Sequence, residues 1–194
     1  MLYKFLSGLA KGVTHCIFRV KVVGKENVPK DGGMILAVNH KSNWDPIFAG
    51  AYCPRPLRFM AKADLFKNKL FGGLIKKLGA FPIQRGRGDI GAIKGAFSIL
   101  KNNDAMLIFP EGHRIKNGKR VKAKLGVSMI AVYAKVPVIP LCISGEYKPF
   151  QKVTVTFGKP ITFEGYYGKK PDNETLQTLA DEVMQTIYLS LIHI

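Results

Sequence analysis

The chain has 194 residues, 47% of them apolar, and a formal net charge of +17. That length suits one domain with a full core. Three scattered cysteines (Cys16, Cys53, Cys142) exclude a disulfide framework and a C-x-x-C metal site and fit a reducing cytoplasm, while four histidines without ligand spacing argue against a zinc enzyme.

The charge is uneven: residues 164–194 hold 2 basic against 5 acidic side chains, so the positive excess lies earlier. Such a surface calls for an anionic partner: nucleic acid, an anionic membrane surface, or a phosphorylated substrate with an acidic carrier. No nucleic-acid motif accompanies it. No window forms a clean transmembrane span, because Lys135, Pro137 and Pro140 interrupt the most apolar stretch, Val127 to Ile143. Lys11 likewise breaks the stretch Phe5 to Ala10 and no cleavage pattern follows, so a signal peptide is not expected.

Residues 1–20 show a helical period. Leu2, Phe5, Leu6, Leu9, Val13, Cys16, Ile17 and Val20 fall in one sector of about 120°, with Lys4, Lys11, His15 and Arg19 opposite. Two fates fit this amphipathic basic helix: a cover for the core, or a contact with a membrane interface. Residues 21–194 read as a single domain. Strands are expected at Val20–Val23, Met34–Val38, Leu57–Met60, Ala80–Ile83, Ala105–Phe109, Val138–Ile143 and Val153–Phe157. Helices are expected from Asp45 onward and at Asp64–Lys77, Asp89–Asn102, Leu125–Ala134 and Asn173–Leu191. This alternation predicts a three-layer α/β fold, with a mostly parallel sheet of about seven strands flanked by helices and sites at the C-terminal strand ends.

One such end carries Asn39-His40-Lys41-Ser42-Asn43-Trp44-Asp45-Pro46. On a continuous helix Asp45 would point about 140° away from His40. A strand, a tight loop and a helix with Asp45 as N-cap and Pro46 in first position would instead bring the two together. A carboxylate on one imidazole nitrogen fixes the tautomer and frees the other nitrogen to take a proton from a hydroxyl. The plain alternative is a helix cap beside a loop histidine.

Other strand ends deliver Arg85 in Gly79–Arg85 and a carboxylate, a glycine and an arginine in Phe109-Pro110-Glu111-Gly112-His113-Arg114; Val136–Pro140 leads into a further buried strand. In this order, over about Met34 to Leu141, the four segments resemble the glycerolipid acyltransferase family, in particular its 1-acylglycerol-3-phosphate acyltransferases. The resemblance implies a glycerol-3-phosphate acyltransferase-like fold, with His40 as general base and Asp45 as the residue that orients it. Arg85, Glu111, Gly112 and Arg114 would serve the glycerol phosphate site, joined by Lys124 of Lys124-Leu125-Gly126.

It further implies an O-acyltransferase that moves a fatty acyl group from acyl-CoA or acyl-carrier protein to the free sn-2 hydroxyl of a lysophospholipid acceptor, 1-acylglycerol-3-phosphate, giving phosphatidic acid. It would need no cofactor and would sit peripherally at the cytoplasmic side of the cell membrane. No G-x-S-x-G elbow supplies a serine nucleophile, in agreement with direct attack. His113 and Ile115 depart from the family's usual threonine and serine, which leaves an acceptor with another headgroup open. Gly86-Arg87-Gly88-Asp89-Ile90-Gly91 matches a dinucleotide fingerprint, but Asp89 would repel a pyrophosphate and reads instead as a helix N-cap.

Overall fold

A computed structural model describes residues 2–83, 90–115 and 121–192. Its elements run α1 (Leu2–Ile17), β1 (Arg19–Val23), β2 (Met34–Val38), α2 (Asp45–Tyr52), β3 (Leu57–Lys62), α3 (Lys69–Lys77), β4 (Ala80–Ile83), α4 (Ile90–Lys101), β5 (Ala105–Ile108), α5 (Gly126–Ala134), β6 (Val138–Ser144), β7 (Lys152–Phe157) and α6 (Asn173–Ile192). The seven strands form one sheet in the order β1-β7-β6-β2-β5-β3-β4. All neighbours are parallel except β6 and β7. The expected α/β fold with its mostly parallel sheet is therefore present.

Helices cover both faces, which explains why the middle strands are apolar throughout. In β2 every residue is buried, and successive side chains enter opposite cores. Ile35 and Ala37 join Met106, Val138 and the inner sides of α4, α5 and α6. Met34, Leu36 and Val38 join Leu107, Ile139 and Phe48 of α2. Full burial of each such aliphatic or aromatic side chain contributes roughly 1.5–3 kcal/mol, and these two cores dominate the stability.

Three local expectations change. The first helix ends at Ile17, and Arg19 and Val20 belong to β1, paired with Lys152 and Val153. The helix expected over Asp64–Lys77 is broken: a 3₁₀ turn spans Ala63–Phe66, and α3 starts afresh where Asn68 Oδ1 accepts the backbone N–H groups of Leu70 and Phe71. Asn68, not Asp64, is the cap. At the third, Trp44 occupies the cap position of α2 with no side-chain bond, and Asp45 is already helical with its carboxylate turned elsewhere.

Docking of α1 departs most from its periodicity. The side packed on α2 is the one with Tyr3, Ser7 and Thr14: Ser7 Oγ donates to the Gly50 and Ala51 carbonyls at 3.3 Å, and Thr14 Oγ1 lies 2.8 Å from the Tyr52 hydroxyl. The apolar stripe Leu2, Phe5, Leu9 and Val13 faces outward, with Phe5 69% exposed. Among the described residues no helix is long and apolar enough to cross a membrane.

Candidate active site

The loop after β2 turns His40 and Asp45 onto one another. His40 Nδ1 lies 2.9 Å from Asp45 Oδ2, and the same oxygen accepts the N–H groups of Lys41 and Ser42, each at 2.6 Å. Residues 40–42 thus wrap around the carboxylate, which explains why it does not cap its own helix. Asp45 is 0% exposed, and its other oxygen, Oδ1, accepts the Tyr147 hydroxyl. Desolvating a carboxylate this completely is tolerable only because several donors replace the lost water. With Nδ1 as the donor to Asp45, the lone pair of His40 lies on Nε2, which has no hydrogen bond among the described residues.

The imidazole stacks on Phe109, just past β5, at 3.9 Å between ring centroids. Its backbone is held on both sides by the same β5 loop. The His40 N–H donates to Glu111 Oε2, and its carbonyl accepts the Ile115 N–H at 2.7 Å. Glu111 is 3% exposed, and its Oε1 accepts the Tyr188 hydroxyl of α6 at 3.4 Å. Burial pushes the Glu111 carboxyl up to about 7; the His40 N–H and the Tyr188 hydroxyl oppose that rise, and the Asp45 charge adds to it.

Asn39, the last residue before the histidine, makes a false rung at the end of the sheet. Its Oδ1 accepts the Ile143 N–H at 2.8 Å and its Nδ2 donates to the Ile143 carbonyl at 3.0 Å, which locks β2 to β6 beneath the loop. Asn39→Ala strands both buried backbone groups. The loss should be about 2–3 kcal/mol, seen as a melting temperature lower by roughly 5–10 °C. An unchanged melting curve would show that water takes over the rung.

The expected phosphate and glycerol residues fall as follows. Arg114 reaches across to the dyad loop, where its Nη1 donates to Asn43 Oδ1 at 2.8 Å. Gly112 turns the loop with φ 74°, and a Cβ there would come within 3.2 Å of Lys124 Cγ. Lys124 is exposed; its backbone N–H donates to the Pro110 carbonyl at 2.7 Å, which lays its stem beside Gly112. Its segment is pinned to α6, where Asp181 Oδ1 accepts the Ala123 N–H at 3.2 Å and Gln177 Nε2 donates to the Ala123 carbonyl at 3.0 Å. His40, Asp45, Glu111, Gly112, Arg114 and Lys124 thus gather at one edge of the sheet. Arg85, the glycine-rich run with Asp89, and residues 116–120 lie outside the described residues.

Sequence reasoning missed the bracing roles of Asn39, Phe109, Tyr147 and Tyr188. Tyr147 stands 102 residues beyond Asp45, and only its place just past β6, at the edge where the other site residues lie, could have marked it.

A family model described as Acyltransferase matches residues 19–144, from the first residue of β1 to the last of β6. The chain belongs to the acyltransferase family. A 1-acyl-sn-glycerol-3-phosphate acyltransferase of Bacillus subtilis is 31% identical over 192 residues, covering 96% of this chain and 95% of that protein. One from Streptococcus pneumoniae is 34% identical over 192 residues, with 94% and 70% covered. Among solved structures, the 1-acyl-sn-glycerophosphate acyltransferase PlsC of Thermotoga maritima superposes with a TM-score of 0.77 at 28% identity, over 97% of this chain and 79% of that one. In this acyltransferase the matched segment contains His40, Asp45, Glu111, Gly112, Arg114 and Lys124, while Tyr147 and Tyr188 lie beyond it.

Proposed function

We propose that this acyltransferase moves a fatty acyl group from an acyl thioester to the free sn-2 hydroxyl of a 1-acylglycerol-3-phosphate, giving phosphatidic acid. The observation that carries the reading is the His40–Asp45 pair, its imidazole oriented by a buried carboxylate and its Nε2 without a hydrogen bond among the described residues, on a loop that Arg114 reaches through Asn43. The acceptor hydroxyl gives its proton to Nε2 as its oxygen attacks the thioester carbonyl. Collapse of the tetrahedral intermediate breaks the C–S bond, and the imidazolium returns the proton to the leaving thiolate. No acyl-enzyme and no cofactor enter this sequence; the donor, acyl-CoA or acyl-carrier protein, is a substrate. Arg85, Arg114 and Lys124 are assigned to the phosphate, which a guanidinium fork matches bidentately. Glu111 completes this acceptor side by holding the His40 peptide in place.

An apolar cavity of about 370 Å³ gives the acyl chain a place. It begins within a turn of Asp45, at Pro46 and Ile47 of α2, and continues between Leu6 of α1, Phe59 of β3 and Phe71 of α3. Phe71 and Ile47 are also half exposed, so the cavity opens at the surface. Around it lie the outward stripe of α1 and, on α3, Leu70 (89% exposed) and Leu74. Lys4, Lys69, Lys76 and Lys77 are exposed on the same two helices. Apolar side chains flanked by lysines suit an anionic leaflet, and we assign this face to peripheral docking on the cytoplasmic side of the membrane.

A transfer assay with purified protein tests the reading, crossing acyl-CoA and acyl-carrier protein donors with lysophosphatidate, lysophospholipids of larger headgroup, and glycerol 3-phosphate. Phosphatidate formation from lysophosphatidate should lead. Preference for a larger headgroup would move the assignment to another lysophospholipid, and no transfer to any acceptor would end it.

A further inference from the structure

We propose that Tyr147 is a positioning residue of the dyad, its hydroxyl holding Asp45 Oδ1 so that Oδ2 alone faces the imidazole. The inference rests on the reading of His40 as the base. The two carboxylate oxygens are unequal: Oδ2 receives His40 Nδ1 and two backbone N–H groups, and Oδ1 receives only the Tyr147 hydroxyl among the described residues. Without that hydroxyl a wholly buried anionic oxygen loses its one donor. The carboxylate then draws charge from what remains, the dyad proton above all, and is freer to turn about its own bond.

Tyr147 is itself held as a fixed part. Its ring meets Phe18 edge-on at 6.0 Å and Phe48 at 5.6 Å, and Lys41 Nζ sits 4.8 Å from the ring centroid while donating to the Gly145 carbonyl. Gly145 makes the turn that sends the chain back with φ 95°, where a Cβ would lie 2.1 Å from the Lys152 carbonyl oxygen, so only glycine fits. Burial first, and the Asp45 charge next, raise the Tyr147 hydroxyl above the ordinary phenol range, so it remains a donor wherever the enzyme works. The titratable groups around Asp45 are His40 and Lys41 on its own loop, Tyr147 and Cys142 from the β6 side, and Glu111 from the β5 loop.

Tyr147→Phe keeps the ring and removes the hydroxyl. Expected is a kcat lower by about tenfold, with donor and acceptor KM changed by less than about twofold, because the lost bond acts on the base and not on either substrate. The acid limb of the kcat/KM profile should move to higher pH, since a carboxylate relieved of one donor holds the dyad proton more strongly. Tyr147→Leu, which removes the ring as well, and His40→Ala are measured alongside. Wild-type kcat and pH profile in Tyr147→Phe, with a loss only in Tyr147→Leu, would show that the residue acts through packing and would overturn the proposal. If His40→Ala keeps the wild-type rate, the reading of the base fails first; if it is inactive while Tyr147→Phe is unaltered, the positioning role alone is wrong.

Discussion

His40→Ala is expected to lower acyl transfer by about 10²–10⁴-fold, the usual worth of a positioned general base, while the protein stays folded. The substitution removes a ring that is 14% exposed and stacked on Phe109, a contact worth about 1 kcal/mol, and leaves the backbone bonds to Glu111 and Ile115 untouched. Asp45 Oδ2 loses the His40 donor but keeps the N–H groups of Lys41 and Ser42, so thermal melting should fall only modestly as the rate collapses. KM for the donor should be nearly unaffected, because the lost interaction exists only as the hydroxyl proton moves. A variant that transfers acyl groups at most of the wild-type rate would sink the base mechanism.

Replacing both Phe5 and Leu9 with Glu should release the protein from vesicles containing anionic lipid by a factor of about 10² or more. Each side chain forfeits up to roughly 1.5–3 kcal/mol of apolar burial, and each new charge is repelled by the leaflet. The fold should survive, because the opposite side of α1, with Tyr3, Ser7 and Thr14, makes the contacts to α2. Activity on a short-chain, water-soluble acceptor should survive too, since Leu6 and not Phe5 or Leu9 lines the cavity. Unchanged vesicle binding would move the docking face elsewhere, with the exposed Leu70 of α3 the next residue to substitute. Leu70→Glu alone should give a smaller loss, in proportion to one side chain instead of two.

The middle of the sheet was readable from sequence because strands buried on both faces need unbroken apolar runs, and Met34–Val38 begins and ends where its run does. The orientation of α1 was not. A period of 3.6 reveals an apolar stripe but not what the stripe meets, and in this chain Leu2, Phe5, Leu9 and Val13 face outward while Ala10, Thr14 and Ile17 pack inward. Asp45 misled for a related reason: an Asp-Pro pair signals a helix start, and nothing local says that three donors from residues 40–42 will outcompete the helix for its carboxylate. The pairing of His40 with Asp45 was accessible because both belong to one short loop. The contacts from Tyr147 and Tyr188 depend on how distant strands and helices are ordered in space, and sequence spacing carries no trace of that.

The grip on the His40 peptide bears on the timing of catalysis. With its N–H on Glu111 and its carbonyl on Ile115, the residue is held much as if it were paired in a ladder, although it lies in a loop. The loops after β2 and β5 are thereby coupled into one frame, and α6 braces that frame from behind through Tyr188. On the proposed role of His40 as base, its ordering is completed during folding and need not be repeated in each turnover, so proton transfer would carry little reorganisation of the protein. On that reading the entropy of positioning His40 is settled when the sheet forms, before any substrate arrives.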